Sequence, residues 1–247
     1  MKKALWMIAT LAAVSAAGTV AAQDAAKTAP RRTASYDLRV AHAPKGDAAA
    51  GKAKAEVCSA CHGADGNANL SMFPNMAGQK TDYLYWSLRA YHDGRMPESP
   101  MTVITSTLEE QDIRDLAAYY SSMAPASGPS VDAETVQATD PTVLARGQAI
   151  FTQGDTALGI PPCQGCHGAD ARGNPQAAYR DSSGRTPFVA YPWLRGQHID
   201  YTQGRLQQFH DGVLDASTYQ RVMSGVGKRL DPDSIKAVSS WLSSLQP

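Results

Sequence analysis

The chain has 247 residues, a formal net charge of zero and an aromatic content of only 7%. The length suits one large domain or two small ones, and the balanced charge gives no indication of nucleic-acid binding. Small domains bury little of their surface, so each needs bulky apolar side chains for its core. The aromatic content is low for two independent cores in domains of about 80 to 100 residues.

The first 22 residues have the three parts of a secretory signal peptide. Lys2 and Lys3 precede an apolar run over residues 4–14, and small residues follow up to Ala22. An uncleaved membrane anchor is the alternative, but the apolar run is shorter than the roughly 20 residues that a membrane span needs. The sequence therefore predicts export to the periplasm, with cleavage near Ala22.

Residues 23–46 show no hydrophobic periodicity and contain Pro30 and Pro44. This composition predicts a flexible N-terminal extension. The first domain is predicted over residues 47–124, with Asp47 as the N-cap of its first helix.

Two further helices are predicted in this domain. One starts at Thr81-Asp82 and is closed by Gly94, and apolar residues recur along it at helical spacing. The last one is predicted to start with a capping box formed by Thr107 and Glu110. The Pro- and Ser-containing stretch 125–141 reads as a linker, and residues 142–247 are predicted to form the second domain. Its first helix has Asp140-Pro141 at its start, and its last helix has Asp231-Pro232.

All four cysteines lie in two copies of one motif. Cys58, Cys61 and His62 form the first C-x-x-C-H, and Cys163, Cys166 and His167 form the second. This pattern is typical of covalent c-type haem attachment, with two thiols for the haem vinyl groups and an imidazole for the iron. Two copies predict two covalently bound haem c groups, which would supply the apolar bulk that the domains lack.

Other readings of the cysteines fit less well. A structural zinc site would place two C-x-x-C pairs roughly 15 to 20 residues apart, whereas these pairs lie 105 positions apart. A thioredoxin-like redox pair gives no reason for a histidine directly after both copies. Disulfides remain a minor alternative.

The duplication extends well beyond the motif. Residues 73–79 match residues 191–197 at an offset of 118, and the last helices match at an offset of 122. The length differences fall in loops, including an insertion at about 175–187, as expected for two copies of one fold. The pattern predicts an all-α protein of two tandem domains, each a small helical fold around one haem.

Methionine is the expected second axial ligand of each iron. The second half contains a single methionine, Met223, and the repeat pairs it with Met101 in the first half. The other methionines, Met72, Met76, Met96 and Met123, have no counterpart and are expected to pack in the core or on the surface. His92 and His210, which the repeat also pairs, keep bis-histidine ligation open as the alternative.

Proline segments follow both haem motifs. An axial imidazole usually donates its second N–H group to a carbonyl oxygen, which fixes the orientation of the ring. Pro74 and Pro192 are the best candidates for that carbonyl, although each could simply form a turn.

These combined features resemble the dihaem cytochromes of the c₄ type over residues 47–247: two C-x-x-C-H-G-A-D segments, the Phe-Pro-x-Met-Ala-Gly-Gln stretch, a His-Asp-Gly turn and a late methionine. The resemblance implies two class I cytochrome c domains in an electron carrier of a respiratory chain. Cys58, Cys61, Cys163 and Cys166 would attach the haems, and His62, Met101, His167 and Met223 would bind the irons. The implied partners are redox proteins, with electrons coming from a dehydrogenase or a quinol-oxidising complex and passing toward a terminal oxidase. Peripheral membrane association is common in such proteins, and no small-molecule substrate is expected.

Two other functions stay open from the sequence. A dihaem enzyme of the peroxidase or thiosulfate-oxidising type would need an open or unusual ligand at one iron. A subunit of a larger oxidoreductase could use residues 23–46 as a tether.

Overall fold

The computed structural model describes residues 35–125 and 130–246. The predicted signal peptide, the first part of the extension and four linker residues lie outside these ranges. Within them the chain is helical, with isolated β-bridges and no named strand. The helices are α1 (Ala48–Lys54), α2 (Glu56–His62), α3 (Thr81–His92), α4 (Pro100–Thr105), α5 (Glu110–Ser122), α6 (Ala133–Ala138), α7 (Pro141–Gln153), α8 (Gln164–His167), α9 (Ile199–His210), α10 (Thr218–Gly227) and α11 (Pro232–Ser244).

Each half is built on a crossing between its first and last long helices, α1 with α5 and α7 with α11. A glycine lies at each crossing. A Cβ atom on Gly51 would lie 2.1 Å from the Asp115 carbonyl oxygen, and one on Gly147 would lie 2.1 Å from that of Ala237. Because only glycine allows this approach, the two backbones touch at both crossings.

Most of the predicted helix starts are confirmed. The side chains of Asp47, Asp140 and Asp231 cap α1, α7 and α11. The predicted capping box of Thr107 and Glu110 is wrong, because α5 starts two residues later, with Glu109 as its N-cap. Glu109 and Asp112 form the capping box there, while the Thr107 hydroxyl donates back to the Ile104 carbonyl at the end of α4.

Each half has its own apolar core. In the first half the buried residues include Ile113, Leu116 and Tyr120 of α5 with Leu84 of α3. In the second half they include Phe151 of α7 and Leu206 of α9, packed on α11. A third cluster joins the halves, with Ala90 and Met96 of the first packed against Leu214 and Ala216 of the second.

The described part of the N-terminal extension is packed rather than flexible, which differs from the expectation. Tyr36 pairs with the start of α10: its amide donates to Ala216 and its carbonyl accepts from Thr218, both at 2.9 Å. The Leu38 side chain is only 3% exposed. Farther along, the Ala43 amide donates to Asp82 of α3 over 2.7 Å. Residues 35–43 therefore form a strap that contacts both halves.

The insertion in the second half meets this strap. The Thr186 amide donates to the Arg39 carbonyl over 2.9 Å, and the Tyr219 hydroxyl donates to the carbonyls of Leu38 and Thr186. Thr186 is 1% exposed. The end of the insertion thus ties the strap to α10.

The stretch predicted as a linker contains the short helix α6, which packs against α11. Asp132, just before α6, is 4% exposed. Across the described ranges, no helix combines the length and the apolar character needed to span a membrane.

Candidate functional site

The two motif histidines end the short helices α2 and α8, and both are buried. Nδ1 of His62 lies 3.0 Å from the Pro74 carbonyl oxygen, and Nδ1 of His167 lies 3.1 Å from that of Pro192. A carbonyl can only accept, so Nδ1 carries the proton and Nε2 presents a lone pair. Burial lowers the pKa of both imidazoles, against the opposing effect of these hydrogen bonds. Each ring is therefore held neutral, as a metal ligand requires.

The aromatic residue before each proline packs on the same imidazole. The Phe73 ring lies 6.1 Å from the His62 ring, and the Tyr191 ring lies 5.8 Å from the His167 ring, measured between centroids. One dipeptide in each half therefore restrains its histidine twice, by an aromatic contact and by a carbonyl acceptor.

The four motif cysteines form no disulfide and are partly buried. Burial raises the pKa of the Cys163 thiol to about 11 and raises those of Cys58 and Cys166 as well. Redox-active cysteine pairs have lowered thiol pKa values. The environment therefore argues against a thioredoxin-like role for these cysteines.

In the second half the structure brings the predicted haem residues to one cavity. Cys163, Cys166, His167, Pro192 and Met223 all line it. The remaining lining is largely apolar and comes mainly from α7, α9, α10, α11 and the loops between them, with Phe151, Leu194, Leu206, Val226, Leu230 and Leu242 among its members, and the strap and α3 of the first half complete it. This cavity joins both thiols, the imidazole and the thioether in an apolar enclosure.

In the first half the predicted haem residues Cys58 and Met101 lie in different parts of the domain, the core and α4. Cys58 packs on the core with Met76 and Met123, while Met101 is half-buried in α4 and is not part of that cluster. Met101 nevertheless corresponds to Met223 in the fold, because each lies nine residues before the first residue of the last helix, Glu110 in α5 or Pro232 in α11.

Two other methionines of the first half have different surroundings. Met96 is buried between the halves, where its sulfur accepts a hydrogen bond from Gln220. Met72 is 62% exposed. These positions are consistent with the packing and surface roles expected for them.

Several buried donors along the cavity lack a protein acceptor. Among the described residues, Trp86 Nε1, Thr202 Oγ1 and Arg205 Nε have no hydrogen-bond partner, and all three residues line the cavity. Buried donors are normally satisfied, and the carboxylates of a haem would be suitable acceptors. The residues present therefore fit a haem: the thiols would attach its vinyl groups, the imidazole and the thioether would bind its iron, and the cationic and neutral donors would bind its carboxylates.

The two halves meet next to the proline segments through a symmetric set of hydrogen bonds. The Gln79 side chain accepts from the Trp193 amide over 2.8 Å and donates to the Trp193 carbonyl over 2.9 Å. The Gln197 side chain makes the same pair with Asn75, over 2.9 and 3.0 Å. Asn75 and Trp193 directly follow Pro74 and Pro192, so the interface lies one residue from the carbonyls that accept from His62 and His167.

Sequence reasoning missed this interface, the strap and the cavity donors. The matched Gly-Gln ends of the repeat segments, at Gly78-Gln79 and Gly196-Gln197, carried a signal for the interface, because a polar residue repeated in both halves has a role in both. The repeat gives no signal for the Arg205 donor, because the equivalent position of the first half is occupied by Ser87.

Comparison with known proteins agrees with the duplicated site. The family model described as Cytochrome c matches residues 48–124 and 144–246. The chain is therefore a dihaem c-type cytochrome of two tandem domains, with one covalently bound haem c and its iron in each.

The relatives identify the family more narrowly. Cytochrome c4 of Pseudomonas aeruginosa is 36% identical over 206 residues, covering 83% of this chain and 92% of the relative. A thiosulfate dehydrogenase electron acceptor of Thiomonas intermedia is 30% identical over 78% of this chain and 81% of the relative. The crystal structure of reduced cytochrome c4 from Pseudomonas stutzeri superposes with a TM-score of 0.65 at 32% identity, covering 81% of this chain and 99% of that one.

The chain belongs to the cytochrome c4 family. It is an electron carrier rather than an enzyme, and it exchanges electrons with redox protein partners.

Proposed function

We propose that this protein is a periplasmic carrier that receives electrons from a dehydrogenase or a quinol-oxidising complex and passes them toward a terminal oxidase. The signal-like residues 1–22 support export, with cleavage near Ala22, and the haem domains are proposed to span residues 47–124 and 142–247. Mass spectrometry of the mature protein tests the cleavage: an N-terminus at residue 23 is expected, and a retained leader would contradict it.

The iron ligands are proposed to be His62 with Met101 and His167 with Met223, and the cysteines at 58, 61, 163 and 166 attach the haems. Bound haem supplies one-electron exchange between ferric and ferrous iron. The proline carbonyls hold Nδ1–H and so direct Nε2 of each histidine at the metal. A thioether as the second ligand raises the potential and leaves no position for a small substrate.

The observation that carries this proposal is the cavity of the second half. His167 and Met223 line the same apolar enclosure, and the His167 ring is fixed there by the Pro192 carbonyl. A carrier needs two protein ligands that stay bound in both oxidation states, and this arrangement supplies them.

Low-temperature EPR of the oxidised holoprotein tests the ligands one iron at a time. Two low-spin histidine–methionine signals are expected. Met223→Ala and Met101→Ala should each replace one of the two histidine–methionine signals by a different signal and lower the midpoint potential of the same haem. Met72→Ala, a change at an exposed methionine, should change neither the signals nor the potentials. Two bis-histidine signals, or unchanged spectra in both variants, would contradict the assignment.

A thiosulfate-oxidising dehydrogenase is a second candidate for the electron donor. The Thiomonas relative, described as an electron acceptor of such an enzyme, favours it. Mixing the oxidised protein with thiosulfate and a thiosulfate dehydrogenase should then reduce both haems within seconds, and thiosulfate alone should not. Slow reduction with the enzyme present would remove this candidate and leave the carrier function intact.

A further inference from the structure

Three parts of the chain converge on the buried side chain of His198. This residue is 2% exposed and directly precedes α9 in the second half. Its Nδ1 atom lies 3.1 Å from Oδ2 of Asp132, just before α6, and its Nε2 atom lies 3.1 Å from the carbonyl oxygen of Ala68 in the first half. The imidazole therefore bridges the two haem domains and the segment between them.

The hydrogen-bonding groups around His198 determine its protonation. The Ala68 carbonyl can only accept a hydrogen bond. Asp132 Oδ2 acts as an acceptor too, because it also receives the Ile199 amide over 2.9 Å and the Ser243 hydroxyl over 3.0 Å. A neutral imidazole has a single N–H group. Both contacts are satisfied together only when both ring nitrogens carry protons, so His198 and Asp132 form a buried ion pair.

The same junction caps α9 with groups from outside the second domain. The first three amides of α9 donate in turn to Asp132 Oδ2, to Ser71 Oγ and to the Ser71 carbonyl, over 2.9, 3.1 and 2.9 Å. Helix N-termini need such acceptors, and the His198 side chain does not act as one. Since Tyr201, Arg205 and Leu206 of α9 line the haem cavity, this capping ties the cavity wall to the first half.

The repeat shows that this junction belongs to one half alone. The counterpart of His198 in the first half is Lys80, at the same offset of 118 that relates Gln79 to Gln197. The symmetric glutamine contacts are therefore supplemented on one side by a charged contact of His198 with Asp132.

We propose that His198 is a positioning residue for the two haem domains: as an imidazolium it holds them together, and loss of its proton loosens this contact. Deprotonation removes one of its two N–H donors and leaves the Asp132 carboxylate buried without a cation. Of the described groups that face the ring, Asp132 is the ionisable one. The 68–71 loop contributes the Ala68 carbonyl and the Ser71 hydroxyl, and α11 contributes the Ser243 hydroxyl. Asp200 of α9 is exposed to solvent.

Amide hydrogen exchange of the ferrous holoprotein, followed by NMR between pH 5 and pH 9, tests the proposal. The amides of Asn75, Trp193 and Tyr201 report on the interface, because each donates across it, while amides within α5 and α11 report on the cores. Protection at the interface, relative to the cores, should fall at least tenfold as the pH rises. A flat ratio in the unmodified protein would overturn the proposal without any variant.

His198→Gln and Asp132→Asn give the matched comparison. Both should show the lowered ratio of interface protection to core protection at every pH. The control is Gln153→Ala, at the exposed last residue of α7. This control should keep the unmodified pH profile. An equal loss of interface and core protection in His198→Gln, or the unmodified profile in that variant, would contradict the positioning role. The readout does not involve the axial methionines, so it is independent of the proposed ligands.

Discussion

Gln79 and Gln197 occupy equivalent positions in the two halves, and each uses its amide group to bind the backbone of the other half. Gln79 binds the backbone amide and carbonyl of Trp193, and Gln197 binds the backbone amide and carbonyl of Asn75. Both glutamines are buried, at 6% and 7% exposure. The hydroxyls of Tyr83 and Tyr201, a further equivalent pair, lie 3.4 Å apart nearby. The interface therefore has approximate twofold symmetry at its centre.

The first prediction concerns this pair of glutamines. Gln79→Ala should lower the free energy of unfolding by about 1–3 kcal/mol, because the Trp193 amide and carbonyl lose their partners inside the protein. Calorimetry of the holoprotein measures the change. Gln153→Ala, at an exposed position in α7, should change the stability little, and a loss of equal size in that control would show that the effect is not interfacial.

Gln79→Glu separates the donor from the acceptor at the same site. A carboxylate keeps the acceptor for the Trp193 amide but turns an oxygen toward the Trp193 carbonyl, where the amide had donated. The variant should be less stable than the unmodified protein at neutral pH and should recover part of the difference in acid, where a protonated carboxyl can donate again. Unfolding midpoints at several pH values test this, and a pH-independent difference would contradict it.

The second prediction concerns the helix crossings. Gly147→Ala should destabilise the second half by about 1–3 kcal/mol, because the new methyl group would overlap the Ala237 carbonyl and overpacking outweighs the better helix propensity of alanine. Gly51→Ala should act in the same way in the first half. Gly204→Ala in α9 is the matched control, since a Cβ atom there meets nothing within 4 Å; it should be neutral or slightly stabilising in thermal unfolding.

The third prediction concerns Arg205, a buried cation beside the haem cavity. Against the effect of burial, the neighbouring tyrosines Tyr201, Tyr91 and Tyr83 hold the pKa of Arg205 above its ordinary value, so it stays charged. Arg205→Gln removes this positive charge and should lower the potential of the second haem, on the order of tens of millivolts, because ferric iron is then less disfavoured. Spectroelectrochemical titration measures it. Arg221→Gln, at an exposed position of the same half, should leave both potentials in place.

The fourth prediction concerns acid stability. Burial acts to raise the pKa of Asp132, but hydrogen bonds from His198, Ser71, Ile199 and Ser243 outweigh it and hold the pKa at about 2, below the ordinary 3.8. The ionised carboxylate therefore stabilises the folded protein above that ordinary value, and the stabilisation of about 2 kcal/mol is lost as the pH falls from 3.8 toward 2. Asp132→Asn should be less stable near neutrality and should lose less on acidification. Parallel loss in both proteins, measured by chemical denaturation, would contradict this assignment.

Much of the site could be read from the sequence because its chemistry depends on local spacing. The C-x-x-C-H motif places two thiols and an imidazole on one helical turn, and the repeated proline segment follows at a short distance along the chain. Helix starts at Asp47, Asp140 and Asp231 were equally readable, since an N-cap acts within three residues. The start of α5 was not, because the Thr107 hydroxyl is used in the turn that ends α4, and Glu109, which is not a preferred N-cap residue, takes the N-cap position.

The sequence by itself determined the duplication, the haem motifs, the helical class and the choice of candidate ligands in each half. The tertiary structure alone decided how the halves meet: the reciprocal glutamine contacts, the strap laid over α10, and the ion pair of His198 with Asp132, which lie 66 positions apart. Such contacts join residues that no periodicity or motif relates. They depend on which buried donors and acceptors come within about 3 Å of each other, and that is fixed only when the whole chain has packed.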